Sequence, residues 1–161
     1  MAAVDYFLNL DGIAGESADA KHKGEIEVLS FSFGETLTGG AGRAGGGRAG
    51  KVEMSDFAFT AGTSKASPVL FQHCAEGRHI KQAILTLRKA GKGQLEYLKI
   101  KLEDVLVSGY SLAGQESEGN PHDSFSLDFR KISFDYSPQK PDGSLAGTVH
   151  GGWDLAKNAK V

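Results

Sequence analysis

The sequence predicts a mainly β domain with one short α-helix. Three observations carry that reading. Apolar and polar residues alternate at strand period through most of the chain, one segment alone carries helix start and stop signals, and several alternating segments change phase midway. At 161 residues and 17.0 kDa the chain suits a single domain over 1–161, and 40% hydrophobic residues give it material for a real core.

The elements follow in order. Tyr6, Leu8 and Leu10 alternate in the first strand candidate. Glu25–Gly34 is the second, with Leu29, Phe31 and Phe33 assigned to one face and Ser30 and Ser32 to the other. Val52–Phe59 is the third. Ser67–Gly77 reads as the helix, with Ser67 at the N-cap, Pro68 at N1, Gly77 past the end, and Leu70, Phe71 and Cys74 on one packing face. Gln82–Lys89 places Ala83, Leu85 and Leu87 together. Leu95–Val107 and Ser124–Tyr136 are long for single strands, and Val149–Leu155 holds the one tryptophan, Trp153.

The phase changes recur. Val52 and Met54 oppose Phe57 and Phe59 in parity. Leu98, Ile100 and Leu102 give way to Val105 and Val107. Phe125, Leu127 and Phe129 give way to Ile132, Phe134 and Tyr136 across Arg130-Lys131. A one-residue slip turns every side chain to the other face. Two causes fit: a β-bulge or bend at each break, as a sheet needs when it coils into a barrel, or burial of both faces, one in the core and one in an interface.

A net charge of −2 and a pI near 6.2 argue against bulk nucleic-acid binding. The single cysteine, Cys74, forms no internal disulfide, which suits a cytoplasmic protein. The start has no basic n-region and no long apolar run, so export, if any, is expected without a cleaved signal peptide. Membrane insertion is not expected, because no apolar run approaches the ~18–20 residues of a spanning helix.

Of 22 glycines, 7 lie within the 12 residues Gly39–Gly50. Matches there to G-x-G-x-x-G and G-x-x-x-x-G-K are coincidences of composition. A phosphate loop must lead into a helix, the next segment has strand pattern, and Val52 stands where a P-loop needs Ser or Thr. The segment Thr36–Lys51, with Arg43 and Arg48 and no acidic residue, reads instead as a long, flexible, cationic loop. His73, Cys74 and His79 are spaced poorly for a metal or a Cys–His pair, and no other catalytic constellation appears. No catalytic residue, cofactor or metal is expected.

Taken together, the residues resemble the haemolysin-coregulated protein (Hcp) family, the tube subunits of bacterial type VI secretion. The resemblance rests on Asp5–Ser17 with Asp19 and His22, on Glu25–Gly34, the glycine segment and Gly50-Lys51-Val52, and on Ser67-Pro68 with Cys74 and Gly77. It continues through Ala83–Gly91, Glu96-Tyr97-Leu98, Val105–Ser108, Tyr136 with Pro138-Gln139-Lys140, and Gly152-Trp153-Asp154. Phe31 and Phe33 stand where some members carry tryptophan.

The resemblance implies a compact β-barrel of two sheets with one short flanking α-helix and an extended Gly-rich loop. It implies a homo-hexameric ring, rings stacked into a tube expelled when a sheath contracts, and small effector proteins held in the lumen. Spike, sheath and baseplate proteins would be the other partners, and catalytic residues are absent from the family. On that basis Ser30 and Ser32 are expected to face the lumen, where a wall must be small and polar; an ordinary solvent-facing serine is the alternative. Thr38, Gly39, Gly40, Arg43, Gly46, Arg48 and Lys51 are expected to form a subunit or ring assembly loop. Other readings are a phage-type contractile tail-tube subunit, a monomeric ligand-binding barrel, and an enzyme using the glycine loop for phosphate.

Overall fold

The computed structural model describes residues 4–38, 51–89 and 93–161. Among them run β1 (Val4–Leu10), β2 (Ile26–Ser32), β3 (Glu35–Thr38), β4 (Lys51–Met54), β5 (Phe57–Gly62), α1 (Ala66–Glu76), β6 (His79–Lys89), β7 (Glu96–Ala113), β8 (His122–Tyr136), β9 (Val149–Asp154) and β10 (Ala159–Lys160). One antiparallel sheet takes the order β10-β9-β8-β5-β2-β1-β6-β7, and β7 pairs back onto β8. Six strands therefore close into a barrel, and β9 and β10 continue from β8. β3 and β4 form a separate two-stranded sheet. The mainly β barrel with one helix is the fold the sequence predicts.

The phase changes are bends. Asp104 takes a left-handed backbone (φ 54), and the flanking pairs Glu103↔Lys131 and Val105↔Phe129 put Arg130 opposite it. Ile100 and Leu102 before the switch, and Val105 and Val107 after it, all enter one core. So do Phe125, Leu127, Phe129 and Ile132 on the facing strand. The two long strands thus turn together at one point, which keeps a single interior as the sheet coils. The break in Val52–Phe59 has another origin. That segment is two strands, separated at Ser55-Asp56, where Ser55 N–H donates to the Gly34 carbonyl (2.9 Å) and Ser55 Oγ accepts from Gly34 N–H (3.0 Å).

Three expectations are corrected. Leu29 does not share a face with Phe31 and Phe33. Val28 pairs with Ala61 and Ser30 with Thr60, so a β-bulge leaves Leu29 as the extra residue, 57% exposed. The helix begins at Ala66, not at Ser67. Ser64 Oγ accepts from Ala66 N–H (3.2 Å) and Ser67 Oγ from Ser64 N–H (3.0 Å), a reciprocal cap one turn earlier. Ala66, Ser67 and Leu70 then face inward and Phe71 swings out. The helix stops at Gly77 (φ 63), as expected. Third, the ends of the Thr36–Lys51 loop are strand. Thr36↔Glu53, Leu37↔Val52 and Thr38↔Lys51 pair in a hairpin. Gly39, Gly40, Arg43, Gly46 and Arg48 lie outside the described residues.

A charged knot holds the β1–β2 connection to the barrel. The Arg88 guanidinium, its side chain 3% exposed, donates to Asp19 (2.6 and 3.0 Å) and Asp5 (3.1 Å) and lies over the Phe7 ring. His22 stacks on the same ring, with Nδ1 2.9 Å from Glu25 and Nε2 2.7 Å from Glu96. The bond to Arg88 holds the Asp19 carboxyl well below the carboxylate range. A depressed pKa contributes stability above the ordinary value of 3.8, and that stability is lost as the pH falls below it. Arg88→Met should strand two carboxylates and lower stability by about 3–5 kcal/mol at neutral pH, with a smaller deficit in acid. Thermal unfolding of both forms across pH 3–7 measures this.

Candidate functional site: a wall of small residues

Each of four adjacent strands carries the same three-residue unit, an aromatic between two small residues. They are Ser30-Phe31-Ser32 on β2, Ala58-Phe59-Thr60 on β5, Ser124-Phe125-Ser126 on β8 and Gly109-Tyr110-Ser111 on β7. The registers align them. Ser30↔Thr60, Thr60↔Ser124 and Ser124↔Ser111 make one outward row, and Ser32↔Ala58, Ala58↔Ser126 and Ser126↔Gly109 make the next. Between them, facing inward, run Phe31↔Phe59, Phe59↔Phe125 and Phe125↔Tyr110.

The alternation follows from the pleat, which sends successive side chains to opposite faces. The aromatic row stiffens the wall from behind. Phe59 and Phe125 stack with centroids 5.2 Å apart, and Phe57 and Phe59 at 4.9 Å. The outward face is a shallow trough of about 560 Å³ with no charged residue in its lining. Its hydroxyls partly satisfy one another. Ser108 Oγ donates to the Asp56 carboxylate at the trough's edge (2.6 Å) and sits 2.8 Å from Ser126 Oγ. Gly109 is required here, because a Cβ would meet Ser126 Oγ at 2.9 Å.

A buried carboxylate ties α1 to this wall. Asp123 accepts from Thr63 Oγ1 (3.1 Å), Tyr110 OH (3.0 Å) and Ser67 Oγ. Burial, then the Asp123 carboxylate, pushes the Tyr110 phenol up, so it stays a donor at neutral pH.

Ser30 and Ser32 thus lie on one outward face, as expected. Thr38 and Lys51 are a pair at the end of the hairpin, on a different sheet. His73 Nδ1 lies 2.9 Å from the Val69 carbonyl and His79 Nδ1 2.7 Å from Asp104, so the two histidines engage separate partners. Among the described residues no group of three or more His, Cys, Asp or Glu could hold a metal.

Residues 7–136 match the model of the family described as type VI secretion system effector, Hcp. The chain is 42% identical to protein hcp1 of Pseudomonas aeruginosa over 161 residues, 99% of each. The chain belongs to the Hcp family. Its fold superposes on Hcp1 from Salmonella typhimurium with a TM-score of 0.82 at 39% identity, covering 100% of both chains. A structure described as a type six secretion system protein gives 0.92 at 28% identity, covering 99% of this chain and 100% of that one.

Sequence reasoning found two of the wall's residues in this Hcp-family chain and missed Ala58, Thr60, Ser111, Ser124 and Ser126. The signal was the repeated small–aromatic–small unit. It was hidden in β7 because the strand runs to Ala113, six residues past the expected end at Val107.

Asp123→Ala should leave three hydroxyl groups without their acceptor and lower stability by at least about 2 kcal/mol. Hydrogen exchange should locate the loosening in α1 and the adjoining end of β7. Uniform protection equal to the parent chain would contradict the anchoring role.

Proposed function

We propose that this protein is the tube subunit of a type VI secretion machine. Six copies close into a ring with the wall of small residues toward the lumen, and rings stack into a tube. A structural role is favoured over a catalytic one.

The observation that carries this reading is the pair of open edges beside the wall. β1 pairs with β2 only at Phe7↔Glu27 and Leu8↔Ile26, so among the described residues Val28–Ser32 have a strand neighbour on the β5 side alone. β6 follows β7 only as far as His79↔Leu106, so Val107–Ala113 have one on the β8 side alone. Open edges are sites of strand pairing. Here their polarity also fits. Four antiparallel strands are an even number, so β7 of one copy meets β2 of a rotated copy antiparallel. A ring of identical head-to-tail contacts needs two different complementary surfaces on each subunit, and these edges supply them. Each added copy then extends one continuous wall.

Small proteins carried in such a tube meet neutral hydroxyls with little to grip. The hairpin β3–β4, which leads into and out of Gly39–Gly50, is the proposed assembly arm. Its apolar face, Leu37, Val52 and Met54, overhangs a groove floored by Phe134 and Trp153, and Leu37 is 66% exposed. A two-stranded sheet is marginal alone, which favours cover from another copy. Thr38, Lys51, Arg43, Arg48 and glycines 39, 40 and 46 belong to this arm. Spike, sheath and baseplate proteins are the further partners of this reading, and delivery is from the cytoplasm without a cleaved signal.

Negative-stain microscopy of the purified chain should show six-fold rings; a 17 kDa particle alone would contradict the reading. Ser32→Arg should leave rings intact and reduce co-purification of a small cargo protein several-fold, because six cations would line one level of the lumen. Loss of rings would instead make Ser32 a packing residue. Deleting Gly40–Ala49 should give a folded subunit with weakened rings or stacking, and unchanged assembly would remove the arm from the account.

A further inference from the structure

Two of the large exposed apolar side chains stand on opposite open edges of the wall and at the same level. Leu29 is the residue that the bulge pushes out of β2, 57% exposed. Leu112 is on the free end of β7, 58% exposed. The row Val28↔Ala61, Ala61↔Asp123, Asp123↔Leu112 runs straight across the four strands and connects their positions. Leu29 is the extra residue immediately after Val28 in that row. Beside Leu112, Phe71 of α1 packs edge-on to Tyr110 (6.4 Å) and is itself 58% exposed. Within one subunit the wall's width separates Leu29 from Leu112.

We propose that Leu29 is a register peg, seated against Leu112 and Phe71 of a second copy. The proposal rests on the ring reading above and deepens it. A bare edge accepts a new strand in any register, since backbone groups repeat along its length. The bulge removes that freedom. It interrupts the β2 edge and places a leucine where a flat strand would otherwise slide. A neighbour can pair on either side of the bulge only where it offers apolar cover for the displaced side chain. The β7 edge offers such cover at Leu112, with Phe71 of the anchored helix alongside. The Asp123 knot matters here, because it fixes Tyr110 and α1 together and so fixes Phe71 relative to the edge. The same bulge that would expose a leucine to water in a monomer would select one axial alignment in the ring. One alignment repeated in each contact is what closes a ring instead of a spiral.

The test uses the full chain carrying Cys74→Ser, which removes the native thiol. Leu29→Cys together with Leu112→Cys, oxidised after assembly, should give a ladder of covalent oligomers ending at six on a denaturing non-reducing gel. Either cysteine alone should give no ladder beyond a dimer. Leu29→Asp should keep the parent circular dichroism spectrum, since the side chain is outside the core, and should reduce the ring fraction in sedimentation at least tenfold. Leu29→Met should retain rings. Intact rings that give no ladder, or rings formed by Leu29→Asp at the parent level, would overturn the peg and leave the ring reading standing. Failure of the unsubstituted chain to form rings would overturn both.

Discussion

The structure depends on the long shared course of β7 and β8. Their pairing runs from Leu98↔Tyr136 to Ala113↔His122 and closes the sheet. Each strand changes its other neighbour along the way. β8 is flanked by β5 near its start and by β9 near its end, while β7 loses β6 beyond Leu106. One half of this ribbon is therefore barrel, covered on both edges, and the other half is wall with an edge left open. The bend at Asp104 and Arg130 lies near the change, and the register shift between Val107 and Gly109 lies just beyond it. Without the bend, apolar parity would carry Val105 and Val107 to the outside. Closure and exposure are thus two consequences of the same pair of strands.

The wall uses a simple division of labour. An aromatic every fourth strand position would leave the sheet thin and flexible. An aligned row from Phe31 to Tyr110 instead concentrates rigid area behind two rows of small side chains. The outward residues can then be small without leaving the barrel underpacked, because the core is supplied from the other face. Gly109 is the extreme case: it accommodates the shift between Val107 and Gly109 and keeps space for Ser126.

Much of this was legible in the sequence, and the remainder failed for identifiable reasons. Alternation found Ser30 and Ser32, and the phase breaks at Asp104 and Arg130 identified real bends. Leu29 was misplaced because Leu29, Phe31 and Phe33 continue an unbroken alternation; only the pairing of Val28 and Ser30 reveals the extra residue. Phe71 was misplaced because its spacing to Leu70 and Cys74 fits a packing face, while the Ser67–Asp123 contact decides the rotation of the helix. Arg88 gave no local sign, since its partners Asp5 and Asp19 are distant in sequence. The glycine segment revealed its context correctly, because strand β4 follows it and no helix receives a phosphate there.

The chemistry of the wall bears on why serine and threonine suit a conduit. Large apolar side chains facing a passage would attract the apolar patches of cargo at about 25 cal/mol per Å² of contact, and each contact would slow passage. Unpaired charges would hold opposite charges, most strongly where water is scarce. Hydroxyls do neither. They keep a film of water by donating and accepting, and those already engaged, such as Ser108 with Asp56 and Ser126, present less unsatisfied capacity to a visitor. The same neutrality leaves assembly to the edges, where backbone groups and displaced leucine act at the margins of the wall. Cohesion between subunits and slip along the lumen can therefore be set by different residues of the same four strands.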